Sequence, residues 1–233
     1  MHDYGSIAAR HYAAFRPPLH RGIVAEALGD QRFALGLDIG CGAGASTVAL
    51  TGFCDAVIGT DPSAAMLAQA IEHPDIAYRQ GSATQLPADA QAVDLVSAAG
   101  VLPYVDRPAF LEELRRVCRA GAQLLIYDFR VDTAVLKACL PPVGEGGGSQ
   151  YDHSLSLIDE PGFETLATGN RRTTFAVTAT EAAHLLLSNE CRGSALADAI
   201  GVSDPFAWVE ERLGQRAPST ELSADISFAV HRL

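Results

Sequence analysis

Three glycines at alternate positions, Gly40, Gly42 and Gly44, close the apolar stretch that begins at Leu35, and a carboxylate, Asp38, stands two places before the first of them. A glycine-rich turn after a strand lets backbone approach a ligand closely and opens a helix whose free N–H groups attract anions, so such turns commonly hold nucleotide phosphates. The run "GCGAGA" from Gly40 satisfies the dinucleotide pattern G-x-G-x-x-G/A, and Asp61 lies 21 residues after Gly40, near the place of a ribose-binding acid. These two features suit NAD and an oxidoreductase. Asp38 points elsewhere. A carboxylate 4 Å from a pyrophosphate costs about 1 to 4 kcal/mol across surface-like dielectrics. S-adenosylmethionine (SAM) has no phosphate and carries a positive sulfonium and a positive ammonium, beside which the same carboxylate is favourable.

Other reactive side chains form no recognisable constellation. Five cysteines (Cys41, Cys54, Cys118, Cys139 and Cys191) lie far apart, without a C-x-x-C pair, which argues against a zinc site or a disulfide framework and for a reducing, cytoplasmic setting. The seven histidines show neither H-x-x-x-H nor H-E-x-x-H spacing, so no metal is expected. His20 and His153 are candidates to face a substrate, against surface or capping roles, and Arg171-Arg172 either meets an anionic substrate or forms a solvated pair. A net charge of −11, with Lys137 as the only lysine, argues against nucleic acid as a partner. No apolar run approaches the roughly 18 residues of a membrane span, and "MHDYGSIAARHY" has no signal-peptide pattern.

The elements that must position the glycine turn follow from apolar periodicity. Near-continuous apolar runs at Ala34–Ile39, Ala56–Thr60, Ile76–Gln80, Val93–Ala98 and Gln123–Phe129 predict strands buried on both faces of a parallel sheet. Helix patterns lie between them at Ala45–Leu50, Ser63–Glu72 and Arg107–Arg119; in the last, Phe110, Leu111, Leu114 and Val117 share a face and Glu112 can pair with Arg116. Alternation at this spacing predicts an α/β fold with a doubly wound, mostly parallel sheet. Before it, residues 1–33 read as a helical preface, with Pro17 and Pro18 at a helix start and Gly29 at its end. Beyond it, "PPVGEGGGSQ" (141–150) reads as a mobile loop, "FETLATG" and "LSADISFAVHRL" as strands, and Glu181–Leu187, Ala195–Ile200 and Pro205–Leu213 as helices. The organisation expected is a lid over 1–33 and a cofactor-binding domain over 34–233, with a lid loop and helices in 130–215.

Four segments resemble, in order, the motifs of the class I (Rossmann-like) SAM-dependent methyltransferases. "LDIGCGAG" is similar to the first motif, "IGTDPSAAML" to the acidic motif after the second strand, "YRQGSATQLP" to the adenine-contacting segment, and "VDLVSAAGVLPYVD" to the fourth-strand motif. "RPAFLEELRRVCRAGAQLLIYDF" resembles the helix and fifth strand that follow, so the resemblance covers Ala34 to Phe129, about 40% of the chain. "YAAFRPP" and "FAVTATEAAHLLLSN" weakly resemble the methyltransferase type 11 and trans-aconitate methyltransferase-like subgroup. The resemblance implies a seven-stranded sheet. It also implies that Gly40, Cys41 and Gly42 meet the methionine moiety, that Gly44 lets the first helix pack closely, and that Asp61 accepts both ribose hydroxyls. Pro62 and Met66 would pack near the adenine, Ser82 would accept its amino hydrogen, and the Ala83 N–H would serve a ring nitrogen. Backbone at Ala99 or Gly100 would meet the ammonium, and Tyr12 and Arg16 would bring the front helix over the carboxylate end. Relatives often carry His-Trp after the fourth strand; this chain has Pro103-Tyr104, so no catalytic base is specified.

The function implied is transfer of a methyl group from SAM to an O, N or C atom of a small molecule, leaving S-adenosylhomocysteine (SAH). Two alternatives stay open: a SAM-binding regulatory or partner subunit without chemistry, and an NAD-dependent oxidoreductase. The front segment and the glycine loop are expected to close the site together.

Overall fold

The computed structural model describes residues 6–143 and 162–233. Tyr4, His2, His153 and the "GEGGGS" run at 144–149 therefore lie outside the described residues. Two helices, α1 (Ser6–Ala14) and α2 (His20–Leu28), lead into β1 (Phe33–Ile39), α3 (Ala45–Leu50), β2 (Cys54–Asp61), α4 (Ala64–Leu67), β3 (Ile76–Gln80) and β4 (Val93–Ala99). A 3-10 turn at Leu102–Tyr104, α5 (Arg107–Val117), β5 (Cys118–Val131) and α6 (Ala134–Lys137) follow. The described chain ends with β6 (Glu164–Thr178), α7 (Ala179–Leu187), α8 (Glu190–Ile200), α9 (Phe206–Gly214) and β7 (Ser219–Arg232).

The strands form one seven-stranded sheet in the order β3-β2-β1-β4-β5-β7-β6. β1 pairs in parallel with β2 and β4, β2 with β3, and β4 with β5. Strand order therefore reverses between β1 and β4, the switch point at whose carboxyl ends open α/β sheets bind ligands. At β7 the direction changes: Gly121 bonds Leu233 at one end of β5, and Asp132 bonds Ser223 at the other, so the two strands run antiparallel.

By its internal contacts the chain divides into two compact units. One comprises Met1–Pro17, Arg130–Tyr151 and Arg172–Asp225; the other comprises Pro18–Phe129, Asp152–Arg171 and Ile226–Leu233. The expected segment 1–33 is thus shared between them. In the second unit, Leu37, Ile39, Val93, Val96, Leu124 and Ile126 of the sheet pack with Phe110, Leu111, Leu114 and Val117 of α5. In the first, Leu186 and Ala183 of α7 pack with Leu136, Val177, Leu196, Val209 and Leu213.

Three sequence expectations need correction. The helix expected over Ser63–Glu72 stops at Leu67, because the Ile71 N–H leaves the helix to bond the Ala43 carbonyl in the glycine turn at 3.1 Å. The helix expected to reach Arg119 ends at Val117, since the carbonyls of Arg116 and Val117 accept the N–H groups of Gln91 and Ala92 and Cys118 joins β5 opposite Val93. Arg116 pairs with Glu113 at 2.7 Å, not with Glu112. Glu113 also accepts the Leu86 N–H, while Arg116 reaches the carbonyls of Leu86 and Ala88, so the pair staples α5 to the loop after β3.

In the first unit, His11 and His184 face each other with Nδ1 atoms 2.9 Å apart, and both rings stack on Phe206. One hydrogen can lie between the two nitrogens, and protonating both rings would set two cations and two N–H donors against each other. Burial, more than their mutual repulsion, pushes His11 below the ordinary histidine pKa, with Asp204 opposing and Arg10 assisting; burial does the same to His184, with Glu210 opposing. At these two rings the unfolded chain then binds more protons than the native one as pH falls through 6.5, so the pair's contribution to stability drops on acidification. Relative to the wild type, we expect His184→Phe, which keeps the stack on Phe206, to shift the pH dependence of the melting temperature between pH 7 and pH 5 in favour of pH 5. An unchanged slope in the variant contradicts this role for the pair.

Candidate functional site

The carboxyl ends of β1, β2 and β4 bring the predicted binding residues of the second unit to one edge. Gly40 follows β1 directly, and the Cys41 N–H bonds the Thr60 carbonyl at 3.0 Å, which ties the turn to β2. Gly40 has φ +64°, and a Cβ there would sit 2.5 Å from a Val101 methyl, so only glycine fits. Gly44 has φ +90° and caps α3, and the close approach it permits is that of Tyr78 on β3. A Cβ at Gly44 would meet the Tyr78 hydroxyl, which itself donates to the Ile71 carbonyl at 3.0 Å. Gly44→Ala is expected to cost about 2 kcal/mol or more from strain and overlap, a loss of several degrees in Tm. The double variant with Tyr78→Phe should recover only the overlap. Equal melting of wild type and Gly44→Ala would refute this packing.

Asp38 is fully buried. Its Oδ2 accepts hydroxyl hydrogens from Ser46 at 2.6 Å and Thr47 at 2.7 Å, both from α3, while its Oδ1 has no hydrogen-bond partner among the described residues. Ser97 stands opposite it in the β1–β4 register; its hydroxyl favours the charged form without completing a hydrogen bond. Burial dominates, and the pKa rises to about 6 despite the three hydroxyls. Asp61 ends β2 and uses one oxygen for each side of the turn. Oδ2 accepts the Gly42 N–H at 3.0 Å and Oδ1 accepts the Ser63 N–H at 2.8 Å. Each oxygen keeps a second lone pair.

Ser63 caps α4 by accepting the Met66 N–H at 3.3 Å, which buries Met66 under the turn; Pro62 offers its carbonyl to Gln80. Ser82 makes a bridge with Gln85 and lies 3.1 Å from the Thr84 hydroxyl, with Ala83 packed on the core beside it. Ala99 ends β4, and Gly100, at φ +64°, donates its N–H to the Tyr127 carbonyl at 2.9 Å. Cys41 is buried, and its thiol is pushed far above the ordinary range by burial and then by Asp38 and Asp61, so it is inert. Tyr12 and Arg16 belong to the other unit, where the Arg16 guanidinium lies 4.0 Å over the Tyr12 ring. Arg171 and Arg172 are both paired, with Glu26 at 2.6 Å and Asp225 at 2.8 Å. Among the described residues there is no cluster suited to a metal, and no helix is long and apolar enough to cross a membrane.

One contact escaped the sequence reading. His20, at the start of α2, places its Nδ1 2.8 Å from the hydroxyl of Tyr127 on β5. The two lie 107 positions apart, and no local pattern joins them.

This sheet order and these motif positions define the class I SAM-dependent methyltransferase fold. Residues 37–126 match the family model described as "Methyltransferase domain". A Dictyostelium discoideum protein provisionally named a methyltransferase is 30% identical over 54% of this chain and 48% of its own length. The demethylmenaquinone methyltransferase of Mycolicibacterium vanbaalenii is 35% identical over 44% of this chain and 45% of its own. The chain thus spans about half the length of the curated relatives it matches. Among solved structures, a protein of Anaeromyxobacter dehalogenans provisionally described as a type II methyltransferase aligns with a TM-score of 0.61, at 24% identity, over 94% of this chain and 96% of that one.

Proposed function

We propose that the protein transfers a methyl group from SAM to a small-molecule acceptor by direct displacement. The observation that supports it most is the fully buried Asp38, whose Oδ1 is without a partner beneath a left-handed glycine turn. A raised pKa is relieved by a nearby cation and worsened by an anion, so the site fits a sulfonium-bearing cofactor and not a pyrophosphate. When bound, SAM supplies an electrophilic methyl group on a positive sulfur.

The chain's own residues would then bind, orient and exclude water. The spare lone pairs of Asp61 are suited to the ribose hydroxyls, and its two N–H bonds hold the carboxylate in place beforehand. Met66 and Pro62 offer an apolar surface to the adenine, and the Ser82 oxygen and Ala83 N–H offer polar contacts to its edge. Gly40 and Gly42 let the backbone approach the amino-acid end, and Ala99 and Gly100 border it on the β4 side. Tyr104, 60% exposed on the 3-10 turn after β4, would wall the acceptor. No protein nucleophile is required, because alignment and desolvation supply most of the rate.

Incubation with methyl-labelled SAM and a library of small metabolites tests this reading. Label in a small-molecule product with stoichiometric SAH is expected. SAM binding without any turnover would replace the reading with that of a cofactor-binding partner subunit.

A further inference from the structure

The front helix α1 is too short to be stable alone. Helices under about 12–15 residues are marginal in water, and this one has nine. It therefore depends on packing, and it packs against α7 and α8 of its own unit. That packing is thin in apolar area. The buried side chains of α1 are Ala8, Ala9 and His11, while Ile7 is exposed. Alanine withdraws little apolar surface from water, so much of the docking falls to the His11 ring. His11 meets His184 of α7 with the two Nδ1 atoms 2.9 Å apart, and both rings stack on Phe206 of α9. Phe15, just beyond the helix, adds a contact with the apolar cluster around α7.

A bond between two Nδ1 atoms needs one hydrogen, and it forms whichever ring supplies it. It survives a single protonation, because an imidazolium N–H still faces an acceptor nitrogen. With both rings protonated, two donors and two positive charges oppose each other. Burial makes the docked rings hold protons more weakly than free imidazoles do. Asp204, just before α9, opposes this at His11 and Glu210 of α9 opposes it at His184, while Arg10 of α1 reinforces it at His11. Of the other charged groups on these helices, Glu181 serves the capping box of α7, Glu211 accepts from the Gln215 amide and Arg212 lies over the Trp208 ring. α8 adds Glu190, Arg192 and Asp198. By contrast, α7, α8 and α9 pack on one another through Ala183, Leu186, Leu196, Val209 and Leu213, which carry no charge at any pH.

We propose that the His11–His184 pair is an acid-sensitive clasp, which on double protonation lets α1 leave α7 while the rest of the unit stays folded. The released rings titrate near the ordinary value of 6.5 and the docked pair below it, so release takes up protons. Above that value the docked helix keeps its full advantage, and the advantage shrinks as pH falls below it.

Native-state hydrogen exchange of the ligand-free full chain tests this at pH 7 and pH 5.5, with each rate divided by the intrinsic rate of its amide at that pH. The amides of residues 10–15 should lose protection by about tenfold or more on acidification, and those of Leu186 and Leu187 in α7 by less than about twofold. His184→Gln keeps a neutral hydrogen-bond partner for His11 and should cut the loss in α1 to about fourfold or less; His11→Gln should do the same from the other side. Equal protection of α1 at the two pH values, or loss in α7 by the same factor as in α1, would overturn the clasp. So would a loss of full size in both variants.

Discussion

Asp61→Ala is expected to weaken SAM binding by about 1.5–3 kcal/mol, a loss of roughly 10- to 150-fold, and to lower the melting temperature of the free protein as well. The double effect follows from the double use of the carboxylate. Its oxygens hold the N–H groups of Gly42 and Ser63, one on each side of the turn, and their remaining lone pairs are the ones proposed for ribose. Alanine removes both sets of bonds. Asp61→Asn is the sharper variant, because its amide oxygen can replace only one of the two backbone acceptors. An intermediate loss of affinity is expected, with most of the stability kept. Calorimetry on folded protein checks this, and unchanged affinity in Asp61→Ala would remove the residue from the site.

Asp38→Asn is expected to act in opposite directions on stability and on binding. With a native pKa of about 6 against an unfolded value near 3.8, the folded protein holds more protons than the unfolded chain between those values. The contribution of Asp38 to the stability of the free protein therefore falls as pH rises through that window, and the charged group remains a burden at pH 7. Removing the charge should stabilise the free protein at pH 7 by about 1–3 kcal/mol while the Ser46 and Thr47 hydroxyls rotate to meet the amide. SAM affinity should drop, more than SAH affinity if the sulfonium is the cation concerned and equally if the ammonium is. For the wild type, SAM binding should weaken below about pH 6, where Asp38 takes up a proton in the free protein. A variant that binds SAM more tightly, with no gain in stability when free, would contradict the electrostatic account.

How far the fold can be read from the chain differs between its halves for physical reasons. The strands β1, β2, β4 and β5 carry runs of buried residues, so Leu35–Ile39 or Val93–Ala98 stands out as an apolar run, whereas β3, at one edge of the sheet and expected to be buried on both faces, has no fully buried residue. β6 is at the sheet's edge, mostly exposed along its 15 residues, and "GNRRTTF" carries no such run, so only its beginning was legible. The early end of α4 depends on a hydrogen bond between Ile71 and Ala43, and no local propensity encodes that. The same holds for Glu113, chosen over Glu112 by the loop at Leu86, and for Gly44, whose constraint comes from Tyr78 on β3. Within the site, Asp38 was marked by its chemistry beside the glycines. The hydroxyls that bury its charge, and the His20–Tyr127 pair, required the fold.

The central claim is that the turn between β1 and α3, with Asp38 and Asp61, holds a cofactor bearing cations and not a dinucleotide. Calorimetric titration of the wild-type protein at pH 7.5 with SAM, SAH and NAD, each alone, tests it most directly. Saturable one-to-one binding of SAM and SAH with no heat from NAD is the expected result. Binding of NAD in the absence of any response to SAM or SAH would contradict the account.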